Sequence, residues 1–196
     1  MFLVTTVLAQ MFVIRFAGKA HERLMAELRA KLEPGFVIDH RPDEPVFVQV
    51  MGPITQYRVG VRSLVDVSGV ELVVNHLKIA DLPSLLNLHL RPMHDRDHAS
   101  GTKRVKLHAR KENYWDLLTN YGAKAMESGH AVVTLNYLPT LGQFDLAAGY
   151  YEFELMATGD SAPETTMIAA VKIGNDGAVD LNLRDGRLSN APFLNR

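Results

Sequence analysis

The residues best suited to chemistry lie in Met93-His94-Asp95-Arg96-Asp97-His98, where two histidines and two carboxylates fall within five positions. Imidazole nitrogens and carboxylate oxygens are ligands for a divalent metal such as zinc or manganese, so His94, Asp95, Asp97 and His98 form a candidate metal site. Arg96 inside the set would repel a cation. His94 and His98 converge on one face only in a helix. Pro92 before the segment and Ala99-Ser100-Gly101 after it mark a loop between strands instead. His89 and His108 fall on the polar faces of the flanking strand patterns, from which either could approach that loop. An ordinary solvated strand connection accounts for the same residues.

A second group is basic. Lys103, Arg104, Lys106 and Arg110, with His108 and Lys111, form a stripe when drawn on a strand, since Lys106, His108 and Arg110 then share a face. Such a stripe can neutralise phosphates, and Tyr114 and Trp115 follow within stacking range. Cross-strand pairing competes with that reading: Glu152 and Glu154 share one face of another strand pattern and would complement the stripe. The balance of the chain favours pairing over nucleic acid, because 21 Lys and Arg face 22 Asp and Glu. Neither half hides an excess, with 11 basic and 11 acidic residues before position 99 and 10 and 11 from there on. Glu152 and Glu154 are not an acid/base pair on this reading, since nothing near them in sequence would raise one pKa.

Several chemistries are excluded outright. With no cysteine in 196 residues there is no disulfide framework, thiolate metal site or cysteine nucleophile. No phosphate loop, dinucleotide-binding glycine turn or nucleophile elbow occurs. His21-Glu22 opens like a zincin motif, but Met25 stands where the second histidine belongs. No cofactor is expected beyond a divalent metal at residues 94–98.

The elements that position these residues are mostly strands. Leu86, Leu88 and Leu90 alternate with Asn87, His89 and Arg91, and Val105 and Leu107 with Lys106 and His108. Further period-two patterns cover residues 46–51, 57–62, 70–79, 130–138, 150–157, 167–173 and 178–183, the last two joined by the hairpin sequence Gly174-Asn175-Asp176-Gly177. Residues 158–166 read as a solvent loop. Ala20, Leu24, Leu28 and Leu32 give an amphipathic helix that Pro34-Gly35 ends, and Asn113 caps a short helix over residues 113–126. With no repeated crossover helices, the expectation is a mainly β (α+β) fold, an antiparallel β-sandwich or jelly roll. Trp115 is expected as a core plug.

Residues 1–45 are expected to form an N-terminal strand and helix segment, packed on or swapped with a neighbour, ahead of a β-sandwich body over 46–196; a single domain over 1–196 fits as well. The apolar start has no basic residue before Arg15 and is interrupted by Thr5, Thr6 and Gln10, so it resembles neither a signal peptide nor a spanning helix. Membrane contact through residues 1–17 is a lesser alternative. Phe2, Leu3 and Phe12 at one end, with Phe193 and Leu194 at the other, are candidate assembly residues. The functional expectation is a non-enzymatic structural or interaction protein, a subunit of a homo-oligomer or larger assembly. The alternative is a metal-dependent or carbohydrate-binding module or enzyme that uses residues 94–98.

Overall fold

In the computed structural model the described residues are 18–19, 21–22, 24, 35–79, 82–93, 104–123, 131–138, 143–186 and 188. The chain divides into two units, Met1–Pro34 and Gly35–Arg196. In the first, Gly18, Lys19, His21, Glu22 and Leu24 are helical and exposed. Most of the amphipathic helix expected there, and the strands expected over residues 1–17, lie outside the described residues.

Among the described residues the second unit has thirteen strands: β1 Val37–Asp39, β2 Val48–Met51, β3 Ile54–Arg62, β4 Val67–Ile79, β5 Leu82–His89, β6 Arg91–Pro92, β7 Val105–Leu107, β8 Glu112–Tyr121, β9 Val132–Asn136, β10 Gln143–Leu146, β11 Gly149–Gly159, β12 Ala162–Ile173 and β13 Val179–Asp185. They form two antiparallel sheets. The first runs β1-β3-β8-β9-β10, with β2 also on β3 and β6 also on β8; the second runs β13-β12-β11-β4-β5, with β7 also on β4. The chain is mainly β, as its period-two patterns require.

One apolar core draws on both sheets. Val59, Val61, Trp115, Leu117, Leu118 and Leu135 enter it from the first, and Leu72, Val74, Phe153, Leu155 and Val171 from the second. Each large aliphatic or aromatic side chain so buried stabilises the fold by roughly 1.5–3 kcal/mol. Trp115 is the expected plug, fully buried, although its indole N–H has no acceptor.

The short helix expected over residues 113–126 is a strand up to Tyr121. Tyr57 pairs with Leu118 and Arg58 with Asp116, so Leu117 is an extra residue that bulges from β8. The bulge turns two consecutive leucines into the core and breaks the alternation that would have signalled a strand. Residues 158–166 are not a solvent loop either: β11 and β12 run through them and turn at Asp160-Ser161. The body also begins earlier than residue 46, because β1 pairs with β3 and Phe36 and Ile38 belong to the core. Between β2 and β3 the two-residue loop Gly52-Pro53 reverses the chain, with Gly52 at φ 62°, a left-handed conformation that favours glycine.

Candidate functional site

The outer face of the first sheet carries its polar residues in cross-strand rows. Arg58 on β3 and Arg91 on β6 both stand opposite Asp116 on β8. Gln56 stands opposite Thr119, which in turn stands opposite Thr134 on β9. Ile54 stands opposite Tyr121. The β8 bulge keeps these rows in phase: without it Asp116 and Thr119, three residues apart, would point to opposite faces.

Arg58 organises the face. It is buried, and its guanidinium donates to Asp116 Oδ1 at 2.8 Å, to the Val46 carbonyl at 3.1 Å, and to Gln49 Oε1 and Gln56 Oε1, each at 2.7 Å. A guanidinium only donates, so both glutamines must turn their oxygens toward it. Gln56 is thereby left with its NH2 group to offer. Thr119 Oγ1 lies 2.9 Å from Asn136 Nδ2 and 3.1 Å from Asn136 Oδ1, an arrangement that fixes the amide plane while leaving one N–H and one lone pair of Asn136 for another partner.

Around these groups lies a pocket of about 290 Å³. Gln56, Asp116, Thr119 and Asn136 supply hydrogen-bonding groups, Met51, Ile54 and Leu135 apolar surface, Tyr121 and Tyr137 aromatic rings with hydroxyls, and Arg91 a cation. Among the described residues Asp116 is the one carboxylate in the lining, and its Oδ1 accepts from Arg58 Nε. Close by, His40 Nδ1 is 2.7 Å from the Arg58 carbonyl and the ring packs edge-on against Phe47. Burial holds the His40 imidazole below its ordinary 6.5, against the opposing pull of that carbonyl and of Asp39.

The chain matches no protein-family model, no curated protein and no solved structure. What the site can do therefore has to be argued from its own chemistry.

The second sheet's outer face is built from charges. Glu71, Lys78, Glu152 and Glu154 are buried there. Glu152 stands opposite Lys78 and pairs with Arg184 of β13. A register shift between β11 and β4 puts both Asn75 and His76 against Glu154, with Asn75 Nδ2 donating at 3.1 Å and His76 Nδ1 at 3.2 Å from the same oxygen. The Leu188 N–H donates to the other oxygen at 3.2 Å. Burial would raise the Glu154 carboxyl, but the Asn75, Leu188 and His76 contacts together hold it below its ordinary 4.5. Glu71 has His89 Nδ1 at 2.7 Å and Arg104 Nε at 2.5 Å.

Most of the residues singled out in the sequence cannot be set against the pocket, because the structure does not describe them. His94, Asp95, Asp97 and His98 lie outside the described residues, as do Lys103, Phe2, Leu3, Phe12, Phe193 and Leu194. Among the described residues no three metal-ligating side chains gather. The basic stripe is not continuous: β7 ends at Leu107, and His108 to Lys111 form a turn in which Arg110 has φ 61°. Arg104 pairs with Glu71, while Lys106 and Arg110 are exposed. Glu152 and Glu154 are indeed paired across strands, but by Arg184, Asn75 and His76 rather than by the stripe, because β11 lies between β4 and β12 and β7 joins only β4. Sequence reasoning missed Gln56, Thr119 and Asn136 altogether, since they come from three distant strands and share no motif.

Proposed function

We propose that the chain is a non-enzymatic β-sandwich protein that works by self-association, with the edge strand β2 as its contact. One observation carries this reading. Among the described residues β2 has a single strand neighbour, β3, and its sequence Val48-Gln49-Val50-Met51 holds no charge and no proline. Val50 is 70% exposed and Met51 44%. An edge strand without charges or proline, which no second described strand covers, is a template for pairing with another strand, and the simplest partner is β2 of a second copy, antiparallel about a two-fold axis. The fate of the ionisable groups supports binding over turnover. Asp116 is ion-paired with Arg58, and Glu154, bonded by Asn75, His76 and Leu188, is held below its ordinary 4.5, away from the neutral range that suits a general acid or base.

Sedimentation velocity over a range of concentrations tests the reading with wild-type chain and Val50→Lys. The wild type is expected to shift from monomer to dimer as concentration rises, and the variant to stay monomeric with an unchanged fold. A wild type that remains monomeric throughout would refute self-association.

A further inference from the structure

We infer that the pocket on the outer face of the first sheet binds a neutral carbohydrate, one sugar unit filling it. The site is built from described residues of the first sheet, and although Met51 of β2 contributes to its lining, ligand binding there does not require the β2 contact.

Three features choose the ligand class. The first is volume: at about 290 Å³ the pocket stands at the lower end of the range for small-molecule sites, roughly 300–1,000 Å³, so it suits a compact ligand. The second is charge. An anion entering the pocket meets Arg91 but must also approach Asp116, and the sheet beneath has its backbone N–H groups engaged in the ladder, so no backbone nest adds to Arg91 in holding a phosphate. A cation finds Asp116 already bonded to Arg58 and flanked in register by Arg91. A neutral ligand meets neither opposition. The third is the layout of donors and acceptors. Gln56 presents NH2, because Arg58 takes its oxygen; Asp116 keeps acceptor capacity beyond its Arg58 bond; Asn136 retains one donor and one acceptor, because Thr119 fixes the rest.

Alternating donors and acceptors held rigidly along one wall complement the hydroxyls of a sugar, each of which both donates and accepts. Met51, Ile54, Tyr121 and Tyr137 supply the remaining surface, to which the C–H face of a sugar ring can pack. A wholly apolar ligand would strip water from Gln56, Asp116, Thr119 and Asn136 and give nothing back. Among the described residues the lining holds Asp116 as its one carboxylate, whereas glycoside cleavage takes two, so the proposal is of binding.

The test is nitrogen-15 NMR of the full chain titrated with glucose, galactose, mannose and N-acetylglucosamine, and separately with citrate and inorganic phosphate. At least one of the sugars is expected to give saturable shifts centred on Gln56, Thr119 and Asn136, with a dissociation constant in the millimolar range or tighter. Asn136→Ala should weaken that binding about tenfold, as loss of a paired amide predicts. The near-isosteric Asn136→Asp, which removes the donor with little change of shape, should weaken it as well. A well-dispersed spectrum of either variant shows that its fold survives. The inference is overturned by an absence of saturable shifts with every sugar at tens of millimolar, by shifts from citrate or phosphate alone, or by sugar binding that folded Asn136 variants leave intact. None of these outcomes bears on self-association through β2, which sedimentation reads independently.

Discussion

On the outer face of the second sheet, buried carboxylates meet charged or imidazole partners: Glu152 pairs with the exposed Arg184 and stands opposite Lys78, Glu154 meets His76, and Glu71 meets His89 and the exposed Arg104. Around the pocket of the first, one buried pair, Arg58 and Asp116, anchors a set of neutral amides and a hydroxyl, while elsewhere on that sheet Arg41 pairs with Glu112 outside the pocket lining. The two faces thus use polarity for different ends. Charges of opposite sign saturate one another across strands and leave little for a ligand. Amides and hydroxyls, each with several donor and acceptor positions, can be oriented by one partner and still offer capacity to a second. The first face is consequently both organised and open.

That contrast can be broken most forcefully at Arg58. Replacing it by methionine strands the buried Asp116 and removes the donor to Gln49, Gln56 and the Val46 carbonyl; denaturant unfolding should show a loss of about 3–5 kcal/mol. The double change Arg58→Met with Asp116→Leu should recover much of that loss, since removing both charges leaves neither unpaired. On the second face Glu154→Gln should cost less, about 1–3 kcal/mol by the same measurement, because His76 is part-exposed and can turn to water.

Acid should separate the faces in a different way. His40 has a folded pKa below 6.5, so the unfolded chain takes up its proton first, and the first face loses stability as pH falls from about 6.5 toward the lowered folded value. Glu154 has a folded pKa below 4.5; its contribution is present above 4.5 and disappears as pH falls through the folded value. Thermal melts across pH should therefore show an upper step that His40→Gln removes and a lower step that Glu154→Gln diminishes. The smallest expected effect on the fold is that of Val50→Lys, within about 0.5 kcal/mol in unfolding experiments, since the side chain is exposed.

How much of this could be read in the sequence depended on local periodicity. Val70, Leu72 and Val74 on β4, or Tyr151, Phe153 and Leu155 on β11, alternate without interruption and announce their strands and their core face. The same alternation assigns Glu152 and Glu154 to the opposite face, but gives no hint that this face is also buried. At β8 the signal failed because Leu117 bulges, and Trp115-Asp116-Leu117-Leu118 resembles one turn of helix more than a strand. At residues 158–166 polar composition suggested a loop, whereas the polar residues line a tight hairpin. The pocket was illegible for a further reason. Gln56, Asp116, Thr119 and Asn136 become neighbours only through antiparallel register, which depends on strand order, and no spacing within one segment encodes that order. Histidines and carboxylates clustered in one segment drew attention to residues 94–98, while the neutral amides that define the pocket carry no such local mark.

The claim that β2 joins two copies is tested most directly by backbone hydrogen exchange at Val48–Met51 in dilute and concentrated solution. The outward-facing Val50 amide should exchange rapidly when dilute and become protected when concentrated, while the Val48 amide, bonded to the Glu44 carbonyl, and the strands β11 and β12 of the second sheet keep the same protection. Exchange at β2 that is the same at every concentration would contradict the account.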